Sequence, residues 1–143
     1  MDARLASIGR MIEAFALWAQ VLDAHRASPF GDLRLTRSQV EALFLIAHAG
    51  VPMTPGRLAE ALNVTPGAVT QLVAGLTAEG LVEQARDPED ARRRVLALAP
   101  ASQEKVDRFE RDLVQRLAER FDALDETELD TLATLLAKTR STQ

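Results

Sequence analysis

The sequence predicts a mainly α-helical fold with one small β-hairpin, and three observations carry that prediction. Apolar residues recur at spacings of three and four over most of the chain. The recurrence breaks once, at two short strand-like segments around a charged turn. Helix-capping patterns stand at the head of the helical runs. Composition agrees: of 143 residues, 47% are hydrophobic and 27% charged, the balance of a folded chain and not a disordered one. Cysteine is absent, which removes disulfide scaffolds, thiol nucleophiles and thiol redox sensing together. There is no long uncharged apolar run, and no signal-peptide core follows Asp2 and Arg4. The expected setting is therefore cytoplasmic, with no membrane partner.

Taken in order, Leu5, Ile8, Ile12, Phe15, Ala19 and Leu22 form an apolar seam along a first helix. The stretch His25 to Leu35, with Pro29 and Gly31, ends it. Thr36 and Gln39 make a capping box for a second helix carrying Val40, Leu43, Phe44 and Ala47, which Gly50 and Pro52 close. Thr54 caps a third, with Pro55 at its first position and Leu58, Ala59 and Leu62 facing inward. Asn63 and Val64 are the turn. Thr65 and Pro66 then open a fourth helix with Val69, Leu72, Val73 and Leu76 buried, and Gly80 ends it as a left-handed residue. Leu81 to Arg86 and Arg93 to Ala99 read as strands around the turn Asp87 to Arg92. After Pro100 a helical stripe runs through Val106, Phe109, Leu113, Leu117, Phe121 and Leu124. Asp125 and Glu128 cap a last helix, with Leu124 and Leu129 at hydrophobic-staple positions.

Helix, tight turn, helix and hairpin, in that order, make a winged helix-turn-helix. The major groove of duplex DNA admits one α-helix, and the flanking phosphates supply positioning contacts. Thr54 to Leu62 is the supporting helix, Thr65 to Glu79 the recognition helix, and the hairpin the wing, with Asp90, Arg92, Arg93 and Arg94 at or near its tip. Arginines on a narrow turn fit the minor groove, where negative potential concentrates. Arg57 and Arg86 complete the basic set between Thr54 and Ala99. Residues 1–35 are then an N-terminal dimerisation helix and loop, 36–99 the DNA-binding lobe, and 100–143 the C-terminal dimerisation helices. Two-fold symmetry is what adjacent half-sites require.

The run from Leu58 to Val73, LAEALNVTPGAVTQLV, followed by GLVE at Gly80 to Glu83 and DPEDAR at Asp87 to Arg92, resembles the MarR family of multiple antibiotic resistance regulators. The resemblance covers nearly the whole chain. It implies a transcriptional regulator, expected to repress, that reads a pseudo-palindromic double-stranded operator as a homodimer. It also implies that Asp90 supports Arg92 in the minor groove, and that Thr65, Pro66, Gly67, Thr70 and Gln71 meet bases and phosphates. Dimerisation is implied for Leu5, Ile8, Ile12, Phe15 and Leu22 at one end, and for Leu113, Leu117, Phe121, Leu129, Leu132 and Leu136 at the other. Family pockets that take small aromatic effectors suggest Trp18, Phe44, His48 and Met53 as a lining. Core packing accounts for Trp18, Phe44 and Met53 nearly as well.

The departures from the family pattern concern charge. Arginine is common in the family where this chain has Gln71, Gly75 and Ala91, and threonine where it has Ala99. The recognition helix holds no lysine or arginine. Across Thr54 to Ala99 five arginines face six acids, and the whole chain carries a formal charge of −4. Because phosphate neutralisation dominates non-specific affinity, weak non-specific binding and reliance on the wing are expected. Arg92 to Arg94 also fit a solvated hairpin edge. An alternative reading is a dimeric regulator-like protein whose DNA binding has weakened and which acts through a partner protein. No glycine-rich phosphate loop or nucleophile elbow appears, so no enzyme activity or cofactor is expected. His25 and His48, without cysteine and without local ligand spacing, predict no metal site.

Overall fold

A computed structural model describes residues 2–25, 30–31 and 33–140. Within them the elements run α1 (Ala3–Ala24), α2 (Arg37–Ala47), α3 (Pro55–Leu62), α4 (Pro66–Ala78), β1 (Val82–Arg86), β2 (Arg94–Leu98), α5 (Pro100–Leu117) and α6 (Glu126–Arg140). The chain is mainly helical with a two-stranded antiparallel hairpin, as its sequence predicts. It divides within α5 into two compact units, one reaching Arg108 and one beginning at Phe109. Pro29, expected to break the first helix, lies outside the described residues.

Side-chain caps set where the helices of the first unit begin. Thr36 Oγ1 accepts from the Gln39 N–H at 3.2 Å while Gln39 Oε1 accepts from the Thr36 N–H at 2.8 Å, the reciprocal box expected for α2. Both α3 and α4 open on Thr-Pro-Gly. Thr54 Oγ1 accepts from the Arg57 N–H at 3.2 Å, and Thr65 Oγ1 from the Ala68 N–H at 3.1 Å. Proline at the next position lacks an N–H that would otherwise be an orphan there. Asn63 stops α3 by turning left-handed, at φ 54°, a conformation asparagine tolerates better than most residues. Only Asn63 to Thr65 then separate the two helices, which fixes them close together.

The core of this unit fills the angle between α2, α3, α4 and the hairpin. Leu43, Leu58, Val69 and Leu76 are its largest fully buried side chains, joined by Phe30, Val73, Val82, Leu96, Leu98 and Val106. Strand β1 pairs with β2 from Val82 opposite Leu98 to Arg86 opposite Arg94. Both strands are shorter than expected. Leu81 falls outside because its N–H closes α4, donating to the Leu76 carbonyl at 3.0 Å. A third strand of one residue is also present: the Leu96 N–H donates to the Met53 carbonyl at 2.7 Å, in an isolated bridge.

Helix α1 begins under a cap from Asp2, whose Oδ1 accepts from the Arg4 N–H at 3.2 Å. None of its residues is buried; Leu5 is 54% and Ile12 61% exposed, and Ile8, Phe15 and Leu22 are exposed with them. By length and composition alone this 22-residue helix is long and apolar enough to cross a membrane. Arg10 and Glu13 interrupt the apolar run without lowering its average far.

In the second unit the stripe expected to run unbroken to Leu124 does not do so. Helix α5 stops at Leu117, and Ala118–Phe121 tighten into a 3₁₀ turn. Leu117 is only 6% exposed, so it serves the chain's own packing and offers little surface to a second copy. Leu113, Phe121 and Leu136 are half-buried, while Leu129 and Leu132 are exposed. The capping box of α6 is present: Asp125 Oδ1 accepts from the Glu128 N–H at 2.9 Å, and Glu128 Oε2 from the Asp125 N–H at 3.0 Å.

Candidate nucleic-acid interface

Helix α4 has two distinct faces. Val69, Val73 and Leu76 are buried, and Leu72 is half-buried beside them. The other side presents Gly67, Thr70, Gln71 and Ala74, at spacings of three, one and three, all exposed. Thr65, Pro66 and Ala68 are exposed at its N-terminal end. A Cβ added to Gly67 would meet nothing within 4 Å, so this position leaves open space for a close approach. The Thr70 hydroxyl donates to the Pro66 carbonyl at 3.0 Å, which spends its hydrogen inside the helix. The side chains on this exposed face are uncharged and, Gln71 apart, small.

The wing is built differently. Asp87 Oδ1 accepts from the Glu89 N–H at 2.9 Å and Asp90 Oδ1 from the Arg92 N–H at 3.0 Å, two successive turns closed by aspartate side chains. The Arg93 N–H donates to the Asp90 carbonyl at 3.0 Å, and the Asp87 N–H to the Arg93 carbonyl at 3.0 Å. Asp90 thus holds the backbone of Arg92. The expected support of the Arg92 guanidinium by the Asp90 carboxylate is not what the structure shows; a short aspartate side chain reaches the N–H two residues on more readily than the end of a long one.

Asp87, only 8% exposed, is the anchor that the sequence reading missed. The Asp-Pro-Glu order, an aspartate with an N–H two residues on, was its signal.

Arg92, Arg93 and Arg94 are all exposed, as is Arg86. The register sets Arg86 directly opposite Arg94. Like charges so placed weaken a ladder, and an external anion between them would relieve that cost. By strand alternation the two arginines share the hairpin face that carries Val82, Leu96 and Leu98 into the core, and lie beyond its edge. Arg57, at the start of α3, is exposed, and its guanidinium donates to the Pro52 carbonyl at 2.7 Å. That bond keeps the charge at the edge of the same lobe.

Of the four residues expected to line an effector pocket, two meet each other and a third lines a separate cleft. Phe44 and His48 meet at a tilt of 49°, ring centres 4.5 Å apart, one turn apart along α2 and its end. Met53 instead lines an open cleft of about 360 Å³ with Ile46, Val51, Leu96, Leu98 and Gln103, and Trp18, Phe44 and His48 take no part in it. Met53 is turned there by its bridge to Leu96.

Comparison with known proteins agrees with this geometry. The MarR family model matches residues 35–93, from the approach to α2 through the wing turn. HTH-type transcriptional regulators of Mycobacterium tuberculosis and Mycobacterium bovis are each 34% identical over 131 residues, 92% of this chain and 87% of theirs. The chain belongs to the MarR family. It is accordingly a transcriptional regulator with a DNA-binding winged helix. Among solved structures, S. aureus MepR in its DNA-binding conformation superposes with a TM-score of 0.64 at 22% identity, covering 92% of this chain and 96% of that one. MepR bound to ethidium bromide superposes with a TM-score of 0.59 at 24% identity, covering 95% and 94%. The exposed face of α4 in this MarR-family chain carries no charged side chain, and exposed arginines stand on the wing and at the start of α3.

Proposed function

We propose that this MarR-family chain is a cytoplasmic repressor that binds a pseudo-palindromic duplex operator as a homodimer. In this reading α4 lies in the major groove, with Thr65, Pro66, Gly67, Thr70 and Gln71 against bases and phosphates. The wing enters the adjacent minor groove with Arg92 foremost, and Arg57, Arg86, Arg93 and Arg94 neutralise phosphates. The observation that carries it is the pairing of Arg86 with Arg94 beside three further exposed arginines, a cost to the fold that an anionic backbone repays. The exposed apolar faces of α1 and α6 support a dimer, because a lone copy leaves them in water; the same pairing accounts for the apolar length of α1 without a membrane. A small aromatic effector is the ligand class expected to release the operator, by analogy with the ethidium complex of MepR.

Gel-shift titration on fragments carrying the chain's own promoter, at two salt concentrations, tests the reading. A shift that weakens steeply with salt is expected. No shift at low salt would move the partner-protein reading ahead, and the excess of acids over bases in the lobe is the observation that favours that second reading.

A further inference from the structure

Resting on the reading that α4 occupies the major groove, we propose that this helix is built to read A·T base pairs, with Gln71 as the residue that specifies adenine. The groove offers each base pair a distinct edge. Guanine is chiefly recognised by a forked or cationic donor, arginine or lysine, on its O6 and N7. Helix α4 has neither residue at any position from Pro66 to Ala78. Its exposed face instead presents Gly67, Thr70, Gln71 and Ala74 on one stripe, with Ala68 beside it. Glutamine matches the adenine edge with both amide groups, donating to N7 and accepting from the N6 amine. Alanine and the threonine methyl pack against the C5-methyl of thymine. Thr70 suits that role, since its hydroxyl hydrogen is committed to the Pro66 carbonyl.

Gln71 is exposed, and none of the hydrogen bonds within this lobe draws on its side chain, so its amide is available to a base. Gly67 adds no side chain in front of it and lets the helix end approach closely. With the exposed face of α4 uncharged and arginines on the wing and at the start of α3, the division of labour is spatial: arginines hold the backbone, and α4 reads methyl groups and one adenine per half-site.

Selection from a random duplex library with the full-length protein tests this directly. The expected outcome is a two-fold motif whose half-site centres are A·T pairs, with no fixed G·C pair under α4. Replacing thymine by deoxyuridine at those centres, which removes only the methyl group, is expected to weaken binding several-fold. Gln71→Ala should lose roughly tenfold on the selected site, the worth of one bidentate base contact. Gln71→Arg should move the selected base at one position per half-site from adenine to guanine. That change of preference is a gain which a misfolded variant cannot imitate. A motif with an invariant G·C pair at the half-site centre and no response to deoxyuridine would overturn the inference while leaving DNA binding intact. Failure of the wild-type protein to retain any duplex at low salt would overturn the proposed function, and this inference with it.

Discussion

At the wing tip, the hydrogen bond from the Arg92 N–H to Asp90 makes a prediction whose sign runs against simple electrostatics. Asp90 is an acid in a region meant to meet phosphate, so removing its charge ought to strengthen binding. Its carboxylate, however, fixes the backbone from which Arg92 projects. Asp90→Ala is therefore expected to weaken operator binding, and Asp90→Asn, which keeps an acceptor oxygen, to weaken it less. Arg92→Ala should cost about 1–3 kcal/mol and lower the salt slope by about one phosphate's worth. Gel-shift titrations of the three variants at two salt concentrations decide the matter; tighter binding by Asp90→Ala would refute the positioning role. Asn63 offers a test of the fold itself. Its φ of 54° is left-handed, so Asn63→Val should lower stability by about 1–2 kcal/mol, whereas Asn63→Gly should be close to neutral. Urea unfolding of both separates backbone strain from loss of the side chain.

Among the elements, what was legible in the sequence was local. The starts of α2, α3, α4 and α6 follow from a threonine or aspartate bonding an N–H within its own first turn, and a short stretch of sequence contains everything such a cap needs. Thr65→Ala should accordingly cost about 1 kcal/mol by chemical denaturation, with weakened DNA binding as the end of α4 frays. Full retention of both would show the cap to be idle. The arginine wing was equally legible, because a hairpin declares itself through a charged turn between two apolar-patterned runs. What escaped was whatever depends on contacts between distant segments. A strand of one residue at Met53 has no periodicity to betray it, since its partner Leu96 lies across the fold. Spacing could not foretell the surroundings of the expected effector lining either: Phe44 and His48 meet along one helix, while Met53 lines a cleft beside the hairpin. Nor does spacing alone separate the α-helix ending at Leu117 from the tighter turn that follows it, because one extra turn shifts a stripe by little.

The whole molecule raises the matter of its uncovered ends. Helix α1 exposes Leu5, Ile8, Met11, Ile12, Phe15 and Leu17, and α6 exposes Leu129, Leu132 and Leu135. Patches of this kind on a chain of 143 residues call for a partner surface, and a second copy is the proposed one. Sedimentation at micromolar concentration should therefore give a dimer. Its melting temperature should rise with protein concentration, since association stabilises only the folded form. Deleting the α1 segment should leave a chain that aggregates or unfolds; a well-behaved monomer after that deletion would refute the dimer.

The two faces of α4 also bear on how such a regulator diversifies. Val69, Val73 and Leu76 answer to the core, whereas Gly67, Thr70, Gln71 and Ala74 are exposed, with Thr70 bonded only to the first turn of its own helix. Mutational drift on the second set is thus nearly free of folding cost, so selection can rewrite the address this protein reads without renegotiating its architecture. A duplicated copy could acquire a new set of target genes through a handful of surface changes, its wing still gripping any duplex backbone while the new preference became established.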